Sequence, residues 1–431
     1  MSVKPAIRKQ RRILFLLTPV VFALLCSAVT VKAQVRYVHE FHQDLSKAFV
    51  LAMASDADTL VVSDLGQVWQ LGPMRFEGAR NKTVVFEPGV EIEAISGAFP
   101  RPTQAFFGFF NCRNITLLGS ATPIRMLKEE YTKGEWRHIF LIRGCSGFRA
   151  DGFALSDSGG DGIEISGNTR VPYSEDVVIA NCTSINNRRQ GISIISGKSV
   201  YIRNCIFSET KGTMPGAGAD LEPNKPEDVL DGIYFENCRF ENNFNSGVKL
   251  ALHELNTTSR PVDIRFSGCV LSNNFHPDNP RVPAEITLLS SPVNGVKGKV
   301  VFEDCVVENN SNMAVYARKD GDAYQVEFRN FLVRKTRLKP EKPLVYLEVP
   351  DYRQECTAGG FLFSSFYVDD NLPNDPLVVR GSRMGSLKAL RNVNGVITLR
   401  GSQNPAIRYI NYDPELNQEV GLRIVTRNQE D

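Results

Sequence analysis

Two carboxylates, Asp220 and Glu222, stand two residues apart in the stretch GAGADLEPN, which runs from Gly216 to Asn224. If this stretch is a β-strand, period-two alternation turns both side chains to the same face. Two carboxylates on one face can cleave a glycosidic bond, one as acid and the other as base or nucleophile. The stretch is therefore a candidate catalytic site, and the surrounding segments must position it.

Those surrounding segments repeat one unit. Cysteines recur at steps of 23 to 37 residues, at positions 112, 145, 182, 205, 238, 269 and 305. They stand in the related segments FNCRNIT, RGCSGFR, NCTSINN, NCIFSET, NCRFENN, GCVLSNN and DCVVENN. Each unit carries short alternating stretches typical of strands, and no helical pattern separates them. The repeat predicts an all-β chain folded as a single-stranded right-handed parallel β-helix, a solenoid of stacked coils.

The repeated cysteines and asparagines have structural interpretations in such a solenoid. Equivalent residues stack at about 4.8 Å, so we expect the cysteines to form a buried column of free thiols instead of disulfides. Asn-Asn pairs end several units, at 186 and 187, 242 and 243, 273 and 274, and 309 and 310. Asparagine tolerates a left-handed backbone and can bond along the stack, so these pairs are expected at corners.

The two ends of the chain differ from the repeat. The segment QDLSKAFVLAMAS places Leu45, Phe49, Val50 and Met53 at helical spacing, which predicts a short helix that caps the first coil. We divide the chain into a signal peptide at 1–33, an N-terminal cap at 34–58 and coils at 59–334. Residues 335–431 are expected to form the last irregular rungs and a C-terminal cap.

The first 33 residues have the three parts of a cleavable secretory signal: a basic run, an apolar stretch and a small-residue exit at Ala33. They hold six basic residues and no acidic one, so removing them changes the formal charge from +2 to −4. That charge disfavours a nucleic-acid partner. We expect a secreted or periplasmic monomer that has no membrane contact once the signal is removed.

The cap and the NCxF units, together with SGGDGIEISG, NNRRQGISII and GAGADLEPN, resemble the secreted parallel β-helix proteins of the pectate-lyase-like superfamily. The resemblance covers about Phe41 to Arg334. It implies a polysaccharide or oligosaccharide substrate that is cleaved either by hydrolysis or by a lyase reaction. The Asn-Thr-Asp, Asp-Asp and Gly-His-Gly motifs of polygalacturonases have no match, so the catalytic residues of that family are not carried over.

Stacking the units predicts which side chains share the outer face. It sets DGIEI above QGISI, AGADL, SGVKL and AEITL, with an outward column that reads Glu164, Ser193, Asp220, Lys249 and Thr287. Glu164 and Asp220 are then two rungs apart, roughly 10 Å. Asp220 and Glu222 are expected to point outward about 6.5 to 7 Å apart at the backbone, which suits an inverting hydrolase better than a retaining one. The candidate catalytic residues are therefore Asp220, Glu222, Glu164 and Lys249.

Further residues near this column are assigned to substrate binding: Arg188, Arg189, Gln190, Asp161, Asn224 and His253. The two arginines would suit an anionic sugar. Trp136 and Tyr173 are candidate stacking platforms, although Trp136 could equally belong to the core.

Three functions remain open at this point. A hydrolase would need only the carboxylates. A lyase would use Lys249 or an arginine as base, with calcium held by acids such as Asp157 and Asp161. No histidine pair has zinc-ligand spacing, so zinc is not expected. The third alternative is a non-catalytic glycan-binding scaffold, because a fold alone does not define a function.

Overall fold

The structure, a computed structural model, describes residues 34–276, 278, 279, 284–339, 342–370, 372, 375–400 and 406–427. The predicted signal peptide lies outside the described residues. Within the described part of the chain, no helix has the length and apolar character needed to cross a membrane.

One α-helix, α1 (Leu45–Ala54), precedes the coils as predicted. Its N-cap is Asp44, whose side chain accepts hydrogen bonds from the backbone N–H groups of Ser46 and Lys47 at 3.0 and 3.1 Å. The buried face of α1 includes Phe49 and Met53, whereas Val50 is exposed and takes no part in the predicted apolar face. Short 3₁₀ segments lie at Val38–Glu40, Lys128–Glu130 and Pro414–Leu416.

The rest of the regular structure is strand. In chain order the strands of the described residues are β1 (Val35–Tyr37), β2 (Thr59–Val62), β3 (Trp69–Leu71), β4 (Met74–Glu77), β5 (Arg80–Phe86), β6 (Ile92–Ala94), β7 (Phe107–Phe110), β8 (Arg113–Arg125), β9 (Phe140–Arg143), β10 (Ser146–Ser156), β11 (Ile163–Ser166), β12 (Ser174–Ala180), β13 (Thr183–Ile185), β14 (Gln190–Ile194), β15 (Gly197–Arg203), β16 (Ile206–Ser208), β17 (Ala217–Leu221), β18 (Leu230–Glu236), β19 (Arg239–Glu241), β20 (Ser246–Leu252), β21 (Val262–Ser267), β22 (Val270–Ser272), β23 (Ala284–Ser290), β24 (Gly298–Glu303), β25 (Val306–Glu308), β26 (Met313–Arg318), β27 (Gln325–Arg329), β28 (Phe331–Arg334), β29 (Val345–Glu348), β30 (Cys356–Asp369), β31 (Leu377–Arg380), β32 (Leu387–Arg400), β33 (Ile407–Ile410) and β34 (Gln418–Arg427).

Successive coils pair in parallel, strand on strand. One sheet stacks twelve strands from β4 to β33, including β9, β11, β14, β17, β20, β23 and β26 in neighbouring order. The second sheet holds two ladders, one through β12, β15, β18 and β21 and the other through β13, β16, β19 and β22. A coil such as β14–β15–β16 therefore gives one strand to each of three stacks, which confirms the predicted parallel β-helix.

The interior is built from columns of like side chains. Ile163, Ile192, Ala219, Val248 and Ile286 are paired coil to coil and fully buried, as the sequence register predicts. A phenylalanine column crosses five coils with ring centroids 4.8 to 5.4 Å apart: Phe235, Phe266, Phe302, Phe328 and Phe363. The stacked apolar surface supplies the main driving force for folding.

The cysteine and asparagine predictions are both confirmed for the described residues. Eight cysteines, including the seven of the repeat, are buried free thiols. The first asparagine of each pair has a positive φ, for example 54° at Asn186 and 59° at Asn242. The second is buried at the corner, where Asn243 Nδ2 donates to Asn274 Oδ1 at 2.7 Å.

Candidate functional site

The predicted outward column is present in the structure. Strand pairing sets Glu164 beside Ser193, Ser193 beside Asp220, Asp220 beside Lys249 and Lys249 beside Thr287. Glycines two residues before this column allow the coils to approach closely. A Cβ on Gly162 would lie 1.9 Å from Ser184 Oγ and 2.8 Å from the backbone oxygen of Gly191, so a larger residue would force these neighbours to shift.

Asp220 is fully buried, so the expectation that its carboxyl faces solvent is wrong. The sequence register is right, but side chains from the neighbouring coils occupy the space around the carboxyl. Gln190 Nε2 donates to Asp220 Oδ2 at 2.8 Å, and Lys249 Nζ lies 3.2 Å from the same oxygen. Oδ1 has no hydrogen-bond partner among the described residues. Burial raises the pKa of Asp220 to about 6, although Lys249 opposes the shift.

Arg189 links several acids from different parts of the coil. Its Nε donates to Glu135 Oε2 at 3.0 Å, its NH2 nitrogen donates to Glu222 Oε2 at 2.5 Å, and its NH1 nitrogen lies 3.5 Å from Asp161 Oδ2. Burial alone would lower the pKa of Arg189, but Asp161, Glu222 and Asp220 outweigh it and raise the pKa. The guanidinium is therefore permanently charged and holds these acids in place.

Glu164 has a different environment from Asp220 in the same column. Arg143 and Ser166 each donate to Glu164 Oε1 at 2.7 Å, and His138 Nε2 lies 3.0 Å from Oε2. Burial would raise the pKa of Glu164, but His138 and Arg143 outweigh it and hold the pKa well below its ordinary value. Glu164 is thus an ionised carboxylate at neutral pH.

Asp161 lies behind Glu164 and is fully buried. Ser193 Oγ donates to its Oδ2 at 2.6 Å, while Oδ1 has no hydrogen-bond partner among the described residues. Its backbone N–H donates to His138 Nδ1 at 3.0 Å, which leaves Nε2 as the protonated nitrogen that faces Glu164. Burial raises the pKa of Asp161.

An open cleft of about 510 Å³ lies in front of these groups. Its lining includes Glu164, Arg189, Glu222 and Asn224 from the predicted site, together with Glu135, Trp136, Arg143 and Lys225. Trp136 is 48% exposed and is not part of the core. Asp220, Gln190 and Lys249 lie behind this surface and do not line it, and neither does Tyr173.

Three further predicted residues lie away from both the cleft and the groups behind it. Arg188 donates to the backbone oxygens of Gly134 and Thr132, because it precedes β14 and turns away from the outward column. His253 follows β20 and is exposed, with Glu254 as its partner at 3.6 Å. Asp157 contacts Arg125 and Asn186 instead of Asp161.

The calcium interpretation has little support from these positions. Among the described residues, His138, Asp161 and Glu164 have donor atoms within 4.8 Å of one another. Calcium takes about six to eight oxygen ligands. This group offers only two carboxylates, both already facing an arginine, and Asp157 does not join it. These residues therefore do not fit a calcium site.

Sequence reasoning missed His138, Arg143 and Glu135. Strand pairing sets β9 beside β11, with Leu141 beside Glu164 and Arg143 beside Ser166. Extending the alignment one unit upstream, from DGIEISG to HIFLIRG, would have found His138 and Arg143. Glu135 lies on a loop outside the repeat, and no sequence pattern points to it.

The fold of this chain is also found by comparison with known proteins. A family model described as "Right handed beta helix region" matches residues 138–332, which include most of the site. The chain is a right-handed parallel β-helix protein, as the sequence resemblance predicts.

Part of this chain is also similar in sequence to a curated protein. The uncharacterized protein YclG of Bacillus subtilis (strain 168) is 28% identical over 193 residues, which are 39% of this chain and 33% of the relative. The match thus spans about a third of that relative.

Solved structures with a similar fold have different activities in their descriptions. PfbA, a surface adhesin of Streptococcus pneumoniae, aligns with a TM-score of 0.53 at 12% identity over 87% of this chain and 91% of its own. The Agl-KA catalytic domain aligns at 0.52 and 14% identity over 92% and 69%. The mannuronan C-5 epimerase AlgE6 A-module of Azotobacter vinelandii aligns at 0.50 and 12% over 92% and 99%. Identities this low show the fold alone.

Proposed function

We propose that this protein is an exported enzyme that hydrolyses a glycosidic bond of a polysaccharide or oligosaccharide bound in the cleft. The observation that carries the proposal is the pair Glu164 and Asp220. They occupy one outward column two rungs apart, with Ser193 between them, and their environments move their pKa values in opposite directions. Such a division is how two carboxyls take separate acid and base roles.

The roles follow from the protonation states. Asp220 retains a proton at mildly acidic pH and would give it to the departing glycosidic oxygen. Glu164 stays ionised and would take a proton from the water that attacks the anomeric carbon. Two rungs are about 10 Å at the backbone, and side-chain reach adjusts this toward the 6.5 to 9.5 Å typical of inverting glycosidases. The reaction needs no cofactor.

Glu222 and Arg189 have supporting roles in this proposal. Asp220 does not line the cleft. Arg189 lines the cleft and interacts electrostatically with Asp220. For Asp220 to reach a bound sugar, the side chain of Arg189 has to move. We assign that movement to substrate binding, with Glu222 and Glu135 holding Arg189 in the free protein. Trp136 would stack on a sugar ring at the mouth of the cleft.

A non-catalytic glycan-binding function is the second candidate. The observation that favours it is that Glu135, Glu164 and Glu222 each have an arginine within 3.0 Å, as in a structural ion-pair network. PfbA, which has the same fold, is described as a surface adhesin. The lyase alternative stays a prediction, and Lys249, its predicted base, is bonded to Asp220 behind the cleft.

Incubation of the purified protein with a panel of polysaccharides tests the proposal. New reducing ends without an unsaturated product are expected. Glu164→Gln and Asp220→Asn should each lower turnover by roughly 100-fold or more, the usual scale for losing a general acid or base. Glu175→Gln is the matched control, because Glu175 lies on the outside of the next stack and its ion-pair partner among the described residues is Lys198 at 3.8 Å.

Other products would assign a different function. Absorbance from a new carbon–carbon double bond would indicate the lyase. Retention of a glycan without any cleavage would indicate the binding protein. Full turnover in both carboxyl variants would refute the assignment of these two residues.

A further inference from the structure

A second groove lies on a different side of the coil from the cleft. It has a volume of about 390 Å³ and is lined by Tyr201, Tyr234, Glu236, Asn237, Arg265 and Ser267, with Phe235 beneath. The two tyrosines stand on β15 and β18 in directly paired positions. Their rings stack with centroids 5.2 Å apart and planes 23° apart.

The tyrosine pair is local and does not belong to a continuous aromatic ladder. The same outward column has Val178 on the coil before Tyr201, and Arg265 and Val301 on the coils after Tyr234. Arg203 covers Tyr201 with its guanidinium carbon 4.8 Å from the ring centroid. The groove continues on the Arg265 side of Tyr234. A half-buried aromatic surface is therefore placed where the groove begins.

The charges that line the groove cancel. Glu236 is paired with Arg203 at 2.7 Å, and Arg265 lies 3.7 Å from Glu303. One acid and one base in the lining give no net charge, which favours a neutral ligand over a polyanion. Asn237 and Ser267 add hydrogen-bonding groups without charge.

We propose that this groove binds neutral sugar units of a glycan chain. Aromatic rings with a few polar groups are the usual lining of small-molecule sites, and the volume lies in their usual range of about 300 to 1,000 Å³. The apolar face of a pyranose ring stacks on Tyr234, while its hydroxyls bond to the amide, carboxylate and guanidinium groups around it. The inference rests on the proposed function only in taking a carbohydrate as the ligand.

The position of the groove suits a ligand chain that also enters the cleft. Asp228 lines the cleft, and Tyr234 follows it by six residues in the same coil. Six residues span at most about 20 Å. A glycan of several units can therefore contact both surfaces, and the groove would hold the polymer while the cleft acts on it.

Affinity electrophoresis of the full chain tests this inference. The gels contain dextran, pullulan or xyloglucan as neutral probes, and alginate or polygalacturonate as acidic ones. The neutral probes that retard the wild type should bind the double variant Tyr201→Ala with Tyr234→Ala at least about tenfold more weakly. The double variant Tyr201→Phe with Tyr234→Phe keeps both rings and should bind as the wild type does. Leu362→Ala, an exposed apolar residue in the same outward column, is the matched control.

The outcomes separate this inference from the proposed function. Loss of binding in the alanine variant, with unchanged cleavage of short oligosaccharides, supports the groove. Tyrosine-dependent binding by a protein that cleaves nothing also supports it and counts against the hydrolase. Equal binding by the alanine and wild-type proteins, retardation by acidic probes alone, or no retardation by any probe would overturn it. If the double alanine variant misfolds, the single variant Tyr234→Ala decides the result: weaker binding of the neutral probes supports the groove, and binding equal to that of the wild type overturns the inference.

Discussion

At the scale of single residues, the two buried carboxyls of the site differ in pKa because their neighbouring side chains differ, not because one is more deeply buried. Asp220 and Glu164 are both buried. Asp220 keeps one oxygen without a partner among the described residues and has a raised pKa. Glu164 has a lowered pKa, because Arg143 and Ser166 donate to one of its oxygens and His138 Nε2 lies 3.0 Å from the other. Glu164 has His138 and Arg143 from the preceding coil and Ser166 from its own strand, whereas Asp220 has Gln190 and Lys249 from the coils on either side.

The pH dependence of activity follows from this difference. If Asp220 is the general acid, kcat/KM should fall about tenfold for each pH unit above about 6, because only the protonated form acts. Glu164 stays ionised to below its ordinary range, so activity should persist into acid. Initial rates from pH 4 to 9 measure this pH dependence of kcat/KM. The Asp220→Asn variant should be slow at every pH, and its kcat/KM should not fall further above about pH 6. An unchanged alkaline limb in that variant would exclude Asp220 as the acid.

The burial of Asp220 shows where sequence reasoning ends at the site. Alternation along β17 places the side chain in the outward column, and this was predictable. Whether an outward side chain is exposed depends on the length and direction of side chains on other coils. Gln190 and Lys249 enclose it, while Trp136 and Glu135 come from a loop with no repeat pattern. These contacts are three-dimensional and leave no periodic signal in the sequence.

At the scale of elements, the corners of the coil combine strained backbone with buried amides. Asn274 continues the ladder of Asn243, and its Nδ2 and backbone N–H donate to Glu285 at 2.6 and 3.0 Å. Burial raises the pKa of Glu285 to about 7, although Asn274 opposes the shift. The ladder therefore ends on an acid that is protonated in the folded protein at mildly acidic pH.

Glu285 should make stability depend on pH. A raised pKa in the folded state favours folding below 4.5 and loses that contribution as the pH rises through about 7. The shift corresponds to about 3 kcal/mol between pH 4.5 and 8. Denaturant unfolding across this range should show the loss in the wild type and a flatter profile for Glu285→Gln. Parallel profiles for the wild type and Glu285→Gln would show that Glu285 has the same protonation state in the folded and the unfolded protein.

The capping helix α1 depends on its first turn. Asp44→Ala removes the acceptor of two backbone N–H groups and should cost about 1 kcal/mol of unfolding free energy. Thermal unfolding measures the loss. Asp56→Ala, at an exposed acid just after the helix, should change stability by less than about 0.5 kcal/mol. Equal effects of the two substitutions would refute the capping role.

At the scale of the whole molecule, the cysteine column shows that the repeat is a packing unit. Eight of the nine cysteines of the chain are buried thiols in the described residues, and the ninth is Cys26 of the predicted signal peptide. A thiol reagent should therefore modify at most one cysteine in the native protein and the remaining eight only on unfolding. A melting temperature lowered by a reducing agent would indicate disulfides and contradict this arrangement.

The coil could be predicted from the sequence because its signals repeat. Cysteine spacing and the Asn-Asn corners predicted the repeat. Aligning each glycine with the apolar alternation after it predicted the register, and strand pairing from β11 to β23 confirms that register. The outward column that holds Glu164 and Asp220 is thus a consequence of the fold. The cleft in front of it was not predictable, because irregular loops form its walls.

The stacked register also bears on how such a chain can change during evolution. Each coil pairs only with the one before and the one after it. Duplication or loss of one whole unit beyond Thr287 would lengthen or shorten the molecule and leave Glu164, Ser193 and Asp220 in place. A single residue inserted within β14 would instead move the inward side chains that follow it to the outer face and the outward ones to the inner face. Selection can therefore adjust the length of this protein in steps of one coil, while the strands under the cleft must keep their count.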